Sequence, residues 1–256
     1  MDRFLVMGLR LSASSIYEII RITLPTCADS VVGRVTREKC DERLEQFARN
    51  IIKKARLKLE VENIELVPLD RSVVYMSNHQ SLMDVPVLYQ AIPHKTLRMV
   101  GKTELSWVPF WGRAAHAAGM VFVDRSNREK AVASLKKAAE TMASGVSIWI
   151  SPEGTRSKTG KLGPLKRGGF HLAKQTGCPI VPMAILGTGD VLPRKAAKMV
   201  YDQKVRVIFG SPIEVTELNV DELQERVRLF LTEKLEENET DSPVSSTRGE
   251  RTADTA

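Results

Sequence analysis

The sequence predicts an α/β fold, in which a single domain holds a mixed, largely parallel sheet flanked by helices and is preceded by an N-terminal helical segment. From about residue 61, short apolar runs alternate with helical stretches, a pattern typical of such sheets. A chain of 256 residues is long enough for one large domain with a full core. Residues 1–60 instead show the periodicity of amphipathic helices.

Two helical patterns occupy the N-terminal 60 residues. The first is strongly apolar from Phe4 onwards, and Pro25 is expected to end it because proline lacks an N–H and clashes with the preceding turn. In the second, lysines and arginines surround one apolar face, which consists of Leu44, Phe47, Ala48, Ile51, Ile52, Ala55 and Leu59. Basic amphipathic helices suit the interface of an anionic bilayer. Residues 1–60 are therefore predicted to lie at a membrane interface, with packing on the domain core as the alternative.

Six apolar runs are predicted to form the sheet. These runs are Val73–Met76, Leu97–Val100, Met120–Val123, Val146–Ile150, Ile180–Leu186 and Val205–Phe209. Helices are predicted over Arg128–Ala143 and Gly168–Thr176, and a last amphipathic helix over Val220–Leu235 closes a domain that spans residues 61–236. The polar composition of residues 237–256 predicts a disordered tail.

The charge balance limits the kinds of partner. A net charge of +7 and a pI near 9.4 favour an anionic partner, whether nucleic acid, an anionic membrane or a phosphorylated substrate. Nucleic acid is not expected, because the basic residues are interspersed with acidic ones and few aromatic side chains are present to stack on bases. No stretch reaches the roughly 18 consecutive apolar residues of a membrane-spanning helix. The three widely spaced cysteines predict neither a disulfide framework nor a zinc site.

A histidine and a carboxylate follow the first predicted strand. His79 and Asp84 stand in the segment that leads from this strand into a predicted helix. Active sites of open α/β sheets lie at the carboxyl ends of the strands. A carboxylate bonded to an imidazole fixes its tautomer and stabilises it once protonated, so the pair can act as a general base. His79 and Asp84 are therefore the predicted catalytic residues.

Further polar residues follow the next predicted strands. Lys102, Arg125 and the run Glu153-Gly154-Thr155-Arg156 are each expected at the same rim of the sheet as His79. The three cations would hold a phosphate while His79 removes a proton from a nearby hydroxyl. Gly154 would allow a close approach of the backbone to a ligand, or supply an N–H for a developing oxyanion. An ordinary tight turn at Glu153–Arg156 is the alternative.

Four blocks in this order carry a family resemblance. They are Asn78-His79-x4-Asp84, Gly119-x-x-Phe122-Val123-Asp124-Arg125, Glu153-Gly154-Thr155-Arg156-Ser157 and Val181-Pro182-x-Ala184-Ile185. The chain resembles the glycerolipid acyltransferases, and among them most closely the 1-acyl-glycerol-3-phosphate (lysophosphatidic acid) acyltransferases. The resemblance covers roughly residues 60–215. Ser151 departs from it, since the family often has a bulky apolar residue at this position.

The resemblance implies transfer of an acyl chain from a thioester, on CoA or acyl-carrier protein, to the sn-2 hydroxyl of lysophosphatidic acid, which forms phosphatidic acid. It implies catalysis by His79 and Asp84. No metal or other cofactor is expected, because a thioester needs no metal activation and the sequence shows no cluster of metal ligands. The implied substrate-binding residues are Lys102, Arg125, Glu153, Gly154, Thr155 and Arg156. The expected location is the cytoplasmic face of a membrane. Two alternatives remain: an acyltransferase that acts on glycerol-3-phosphate or another lysolipid, and a non-catalytic protein that binds membrane lipids.

Overall fold

A seven-stranded sheet forms the centre of the protein in the computed structural model, which describes residues 3–93, 96–124, 127–194, 196 and 198–241. The strands are β1 (Lys58–Glu62), β2 (Val74–Ser77), β3 (Leu97–Lys102), β4 (Val121–Val123), β5 (Ser147–Ile150), β6 (Ile180–Leu186) and β7 (Lys204–Phe209). The helices are α1 (Arg3–Val31), α2 (Arg37–Ala55), α3 (Asp84–Ala91), α4 (Trp111–Ala117), α5 (Arg128–Ala143), α6 (Gly168–Thr176), α7 (Thr188–Val191) and α8 (Val220–Asp241).

The strand order is β1-β7-β6-β2-β5-β3-β4, and only β6 and β7 pair antiparallel among the described neighbours. The mixed, largely parallel sheet is therefore confirmed. Every residue of β2, β5 and β6 is buried, as expected of central strands with helices on both faces. One face packs against α2 and α3, and the other against α5, α6 and α8. All six predicted strands are present with boundaries within two residues, and the predicted bounds of α5 and α6 are confirmed.

A strand at the edge of the sheet was not predicted. The helical pattern was expected to continue through residue 60, but α2 ends at Ala55 because Arg56 adopts a left-handed conformation with φ 52°. The chain then enters β1, which pairs parallel with β7. Leu59, assigned to the apolar helix face, lies on this strand instead. A single edge strand of five residues gives too short an alternation to stand out beside a long helical pattern.

The prediction that Pro25 ends the first helix is wrong, because α1 continues to Val31. Contacts from neighbouring residues hold the turns beyond the proline. The Thr26 hydroxyl donates to the carbonyl of Ile22 at 2.7 Å. Arg43 on α2 donates to the Thr26 hydroxyl at 3.0 Å and to the Asp29 carboxylate at 2.6 Å. Tertiary contacts of this kind offset the backbone hydrogen bond that proline removes.

The last helix is longer than predicted. It ends at Asp241 rather than Leu235, so the first residues of the predicted tail are helical. Lys234 pairs with Glu237, which supports this extra turn at the (i, i+3) spacing of helical neighbours. The remainder of the predicted tail, residues 242–256, lies outside the described residues.

The two N-terminal helices have different surroundings. Phe47 and Ile51 of α2 belong to the main core cluster, so the apolar face of α2 packs on the domain. In α1, by contrast, Ile16, Ile20 and Leu24 are exposed. Neither of these helices, nor any other in the described part of the chain, has both the length and the apolar character needed to cross a bilayer.

Candidate active site

The turn after β2 is held to the sheet by the side chain of Asn78, which forms the hydrogen bonds that a backbone peptide group would form. Asn78 is buried, and its Nδ2 donates to the carbonyl of Ile185 at 2.7 Å while its Oδ1 accepts from the N–H of Ile185 at 2.8 Å. A side-chain amide offers one acceptor and two donors, so it can pair with an extended strand as a peptide group does. The pairing of β2 with β6 thus continues for one step beyond Ser77. This places the next residue, His79, at the carboxyl edge of the sheet.

His79 and Asp84 form the predicted pair. Nδ1 of His79 lies 2.5 Å from Oδ2 of Asp84, which is fully buried at the first turn of α3. The same oxygen accepts the backbone N–H groups of Gln80 at 2.9 Å and Ser81 at 3.1 Å. An ionised carboxylate can only accept, so this contact selects the tautomer of a neutral imidazole in which Nδ1 carries the hydrogen and Nε2 keeps its lone pair. The imidazole is 18% exposed, so it can meet a substrate and act as a base.

The second carboxylate oxygen of Asp84 has a partner that the sequence did not reveal. The hydroxyl of Thr188, the first residue of α7, donates to Oδ1 of Asp84 at 2.5 Å and is itself buried. The two residues are 104 positions apart, and no local pattern links them. The only available signal was that Thr188 follows the end of β6, the strand beside β2. We assign Thr188 the role of positioning Asp84, since its hydroxyl bonds the carboxylate on the oxygen that does not face His79.

Trp149 of β5 supports the imidazole from the sheet side. Its ring meets that of His79 edge to face, with 5.6 Å between the centroids. Its Nε1–H donates to the hydroxyl of Ser77 at 2.9 Å. This hydrogen bond fixes the orientation of the indole ring against the ring of His79. Edge-to-face contacts of this geometry add to burial in holding two rings together. Trp149 therefore restrains the ring of the base, whereas the sequence placed it only within the predicted strand Val146–Ile150.

Glu153 lies beneath the site rather than at its surface. It is buried, and its carboxylate accepts the N–H of His79 at 3.0 Å and that of Gly163 at 2.9 Å. Burial raises the pKa of Glu153 above its ordinary value, while the two backbone hydrogen bonds oppose that rise. Glu153 was predicted to bind substrate, and that role stays a prediction. In the structure its carboxylate joins the backbone of the catalytic turn to the loop that follows β5.

The remainder of the Glu153–Arg156 run forms a tight turn against His79. Gly154 has φ 73°, which favours glycine, and its N–H donates to the carbonyl of Ser151 at 3.0 Å. That N–H is used within the turn and is therefore not free for an oxyanion. Thr155 is exposed. The N–H of Ser157 donates to the carbonyl of His79 at 2.7 Å, so both backbone groups of His79 are held by residues 153–157.

The predicted cations have different positions. Arg156 is half-buried in the turn beside His79, and its carbonyl accepts from Nη1 of Arg194 at 2.7 Å. Lys102 is exposed at the end of β3. Two strand spacings separate β3 from β2, which corresponds to about 10 Å. Arg125 lies outside the described residues. The structure thus brings His79, Asp84 and residues 153–156 together, with Lys102 farther along the same rim.

A family model described as acyltransferase matches residues 58–186, and the chain belongs to this acyltransferase family. The matched region contains both members of the base pair, the Glu153 turn and Lys102. Two similar curated proteins bear the name 1-acyl-sn-glycerol-3-phosphate acyltransferase. A chloroplastic protein of Brassica napus is 36% identical over 61% of this chain and 45% of its own length. The alpha protein of Homo sapiens is 34% identical over 72% of this chain and 66% of its own.

A solved structure shares the whole architecture. The 1-acyl-sn-glycerophosphate acyltransferase of Thermotoga maritima superposes with a TM-score of 0.79 at 25% sequence identity, covering 94% of this chain and 98% of that one. The mixed sheet with flanking helices is therefore shared by that protein. The chain spans about half the length of the plant relatives it matches.

Replacing Thr188 tests whether it positions Asp84. Thr188→Val keeps the shape of the side chain but removes the hydroxyl donor to Oδ1 of Asp84. We expect kcat to fall by roughly tenfold or more with little change in KM, because a misplaced base acts on the transition state rather than on binding. Thr188→Ser retains the hydroxyl and should restore most of the rate. Equal loss in both variants would contradict a positioning role and indicate a packing defect.

Glu153→Gln tests the link between the turn and the base. Only one oxygen of glutamine can accept, so its amide would face one of the two N–H groups that the carboxylate now binds. Because the folded-state pKa of Glu153 is raised, its contribution to stability is present at low pH and is lost as the pH rises through that pKa. We expect the difference in Tm, wild type minus variant, to shrink as the pH rises from 4.5, the ordinary pKa of a glutamic acid, through the raised pKa of Glu153. A difference that grows with pH would contradict the burial of this carboxyl.

Proposed function

We propose that this protein transfers an acyl chain from an acyl thioester to the sn-2 hydroxyl of 1-acyl-glycerol-3-phosphate and so forms phosphatidic acid. The observation that carries the proposal is the His79–Asp84 pair, in which Nε2 remains available at the carboxyl edge of the sheet. Membership of the acyltransferase family supports the acyl-transfer reaction. The names of the similar proteins from Brassica napus, Homo sapiens and Thermotoga maritima support the acceptor.

The proposed reaction needs one proton acceptor and no covalent enzyme intermediate. Nε2 of His79 takes the proton of the acceptor hydroxyl while the oxygen attacks the thioester carbonyl. The tetrahedral intermediate collapses, its carbon–sulfur bond breaks, and the thiolate receives the proton from the imidazolium. Asp84 stabilises the imidazolium between these steps, with Thr188 and two backbone N–H groups holding the carboxylate in place. Base catalysis of this kind contributes about 10²–10⁴-fold.

The acceptor phosphate would bind to cations at the rim of the sheet. Arg156 lies in the turn that holds the backbone of His79, and Arg194 donates to its carbonyl. Lys102 approaches from the end of β3, and Arg125 is assigned to the same role from its sequence block alone. Arginine binds phosphate through two parallel hydrogen bonds, whereas lysine acts as a point charge. Two-point binding by arginine, together with the charge of lysine, would fix the orientation of the acceptor's glycerol relative to Nε2 of His79.

The same proposal covers the acyl donor and the location of the protein in the cell. The donor is acyl-CoA or acyl-carrier protein, which acts as a substrate, and the reaction as written uses no other cofactor. The acceptor is a lipid, so the protein would work at a membrane surface, on the cytoplasmic face where these thioesters are present. The exposed apolar residues of α1 support contact with that surface.

Replacing the base tests the reaction. His79→Ala should lower the rate by at least about 10²-fold with the fold retained, because the imidazole supplies chemistry and is only one part of a turn fixed by Asn78 and Glu153. His171→Ala, an exposed histidine on α6, is the matched control and should keep the wild-type rate. Release of free thiol and formation of phosphatidic acid, followed by mass spectrometry, provide the two readouts. Near-normal activity of His79→Ala would exclude the assigned base.

Donor and acceptor panels separate the alternatives. Wild-type protein is assayed with acyl-CoA and acyl-carrier donors against lysophosphatidic acid, glycerol-3-phosphate and other lysolipids. Product from glycerol-3-phosphate in preference to lysophosphatidic acid would favour the alternative acyltransferase. Lipid binding without any release of thiol would favour a non-catalytic lipid-binding protein.

Replacing a cation tests the acceptor site. Arg156→Ala should raise the acceptor KM by roughly tenfold while kcat changes less, since a charge-assisted hydrogen bond is worth about 1.5–3 kcal/mol. Arg167→Ala removes an exposed arginine that pairs with Asp221, and it should leave the acceptor KM unchanged. The same KM in Arg156→Ala as in the wild type would remove this residue from the phosphate site.

A further inference from the structure

A loop between β3 and α4 exposes a cluster of large apolar side chains. Residues 105–110, here called the aromatic loop, have the sequence Leu-Ser-Trp-Val-Pro-Phe. Trp107 is 71% exposed and Phe110 is 65% exposed, and Leu105 and Val108 are exposed as well. Single exposed apolar residues are ordinary, but a contiguous group marks a surface that contacts a partner.

The backbone of the aromatic loop holds these side chains outward at a conformational cost. Phe110 has φ 62° and ψ −48°, and the N–H of Trp111 donates to the carbonyl of Pro109 at 2.6 Å. This is a γ-turn with positive φ, which is rare and strained for a residue other than glycine. The next residues close the loop tightly, since a Cβ on Gly112 would lie 1.9 Å from the carbonyl oxygen of Ser106.

Because the backbone at Phe110 is strained, the exposure of its side chain indicates a functional contact. Strained residues persist where the surrounding structure determines their conformation, and they concentrate at sites that contact ligands or partners. A loop without a partner gains nothing from a γ-turn that carries a bulky aromatic side chain into solvent. The fold therefore holds the exposed apolar side chains of the aromatic loop in a fixed conformation. Such side chains can insert into a deformable apolar surface.

The surroundings of the aromatic loop indicate the kind of partner. Helix α4, which directly follows the loop, packs against α1, whose residues Ile16, Ile20 and Leu24 are also exposed. Lys102 and Arg113 flank the loop, are exposed, and form no ion pair with any residue that the structure describes; Glu104 is an exposed acid in the same stretch. Apolar side chains bordered by cations match an anionic phospholipid interface, where tryptophan is enriched.

We propose that the aromatic loop inserts into the interfacial region of an anionic phospholipid bilayer as a contact separate from α1. The choice of a lipid partner rests on the proposed function, in which the acceptor resides in the bilayer. The loop begins three residues after Lys102, at the edge of the sheet that carries His79. Insertion of the loop therefore turns this edge towards the head groups and brings the site to the level of the acceptor phosphate.

Vesicle binding tests the proposal without any acyl substrate. Sucrose-loaded vesicles of phosphatidylcholine and phosphatidylglycerol are sedimented with the wild type and with Trp107→Ser/Phe110→Ser. Burial of a large apolar side chain in the bilayer favours binding, so we expect the partition coefficient to fall by at least about tenfold when both side chains are replaced. Val132→Ser/Leu229→Ser is the matched control, because it removes two apolar side chains that are each 60% exposed, on α5 and α8, and its binding should be unchanged.

A second variant separates membrane contact from folding. Glycine accepts a positive φ without strain, so Phe110→Gly should keep or raise the Tm while weakening vesicle binding. A side chain with a merely structural role would give a lower Tm and unchanged binding. Trp107 is the most exposed of the three tryptophans, and its emission should shift to shorter wavelength on vesicles. Trp107→Phe should bind but lose the shift.

Defined results would overturn the proposal. Wild-type vesicle binding by Trp107→Ser/Phe110→Ser would exclude insertion of the loop. Association of the wild type in lipid-free solution, abolished by the same variant in sedimentation equilibrium, would instead assign the loop to a second copy of this chain. The vesicle measurements are independent of turnover, so a protein that binds vesicles through the loop and transfers no acyl chain would refute the proposed function alone.

Discussion

The buried carboxylate of Asp84 is the constraint on which the site depends. A charge with no exposure to water costs several kcal/mol unless donors surround it. Here four donors reach its two oxygens, from the ring of His79, the backbone of Gln80 and Ser81, and the hydroxyl of Thr188. These donors come from the turn after β2 and from the end of β6. The base is therefore oriented only when two neighbouring parallel strands end together.

The same requirement explains the role of the Glu153 turn. Its residues come from the end of β5, on the other side of β2, and they hold both backbone groups of His79. The imidazole is thus restrained by the two strands that flank its own. A general base must lie within hydrogen-bond reach of the proton that it removes. Parallel strands whose ends meet at one edge supply that placement.

The sequence alone predicted those features of the fold and the site that depend on a local pattern of residues. The apolar runs predicted the strands because central strands are buried on both faces. The spacing of His79 and Asp84 predicted their pairing because a short turn restricts their separation. Thr188 could not be predicted, since its contact with Asp84 spans 104 residues. Glu153 was assigned to substrate from the family resemblance of its sequence block, and the sequence did not reveal that its carboxylate is buried in the packed turn. Pro25 was misjudged because tertiary contacts from Arg43 override a local preference.

The central claim is that Asp84 fixes the tautomer of His79 so that Nε2 is the base. Nuclear magnetic resonance of protein labelled with ¹⁵N at histidine measures this directly, because the two ring nitrogens have distinct shifts when one bears hydrogen. In the neutral form, the account predicts a protonated Nδ1 and a bare Nε2 for His79, with this preference lost in Asp84→Asn. A neutral His79 protonated on Nε2 in the wild type would contradict the account.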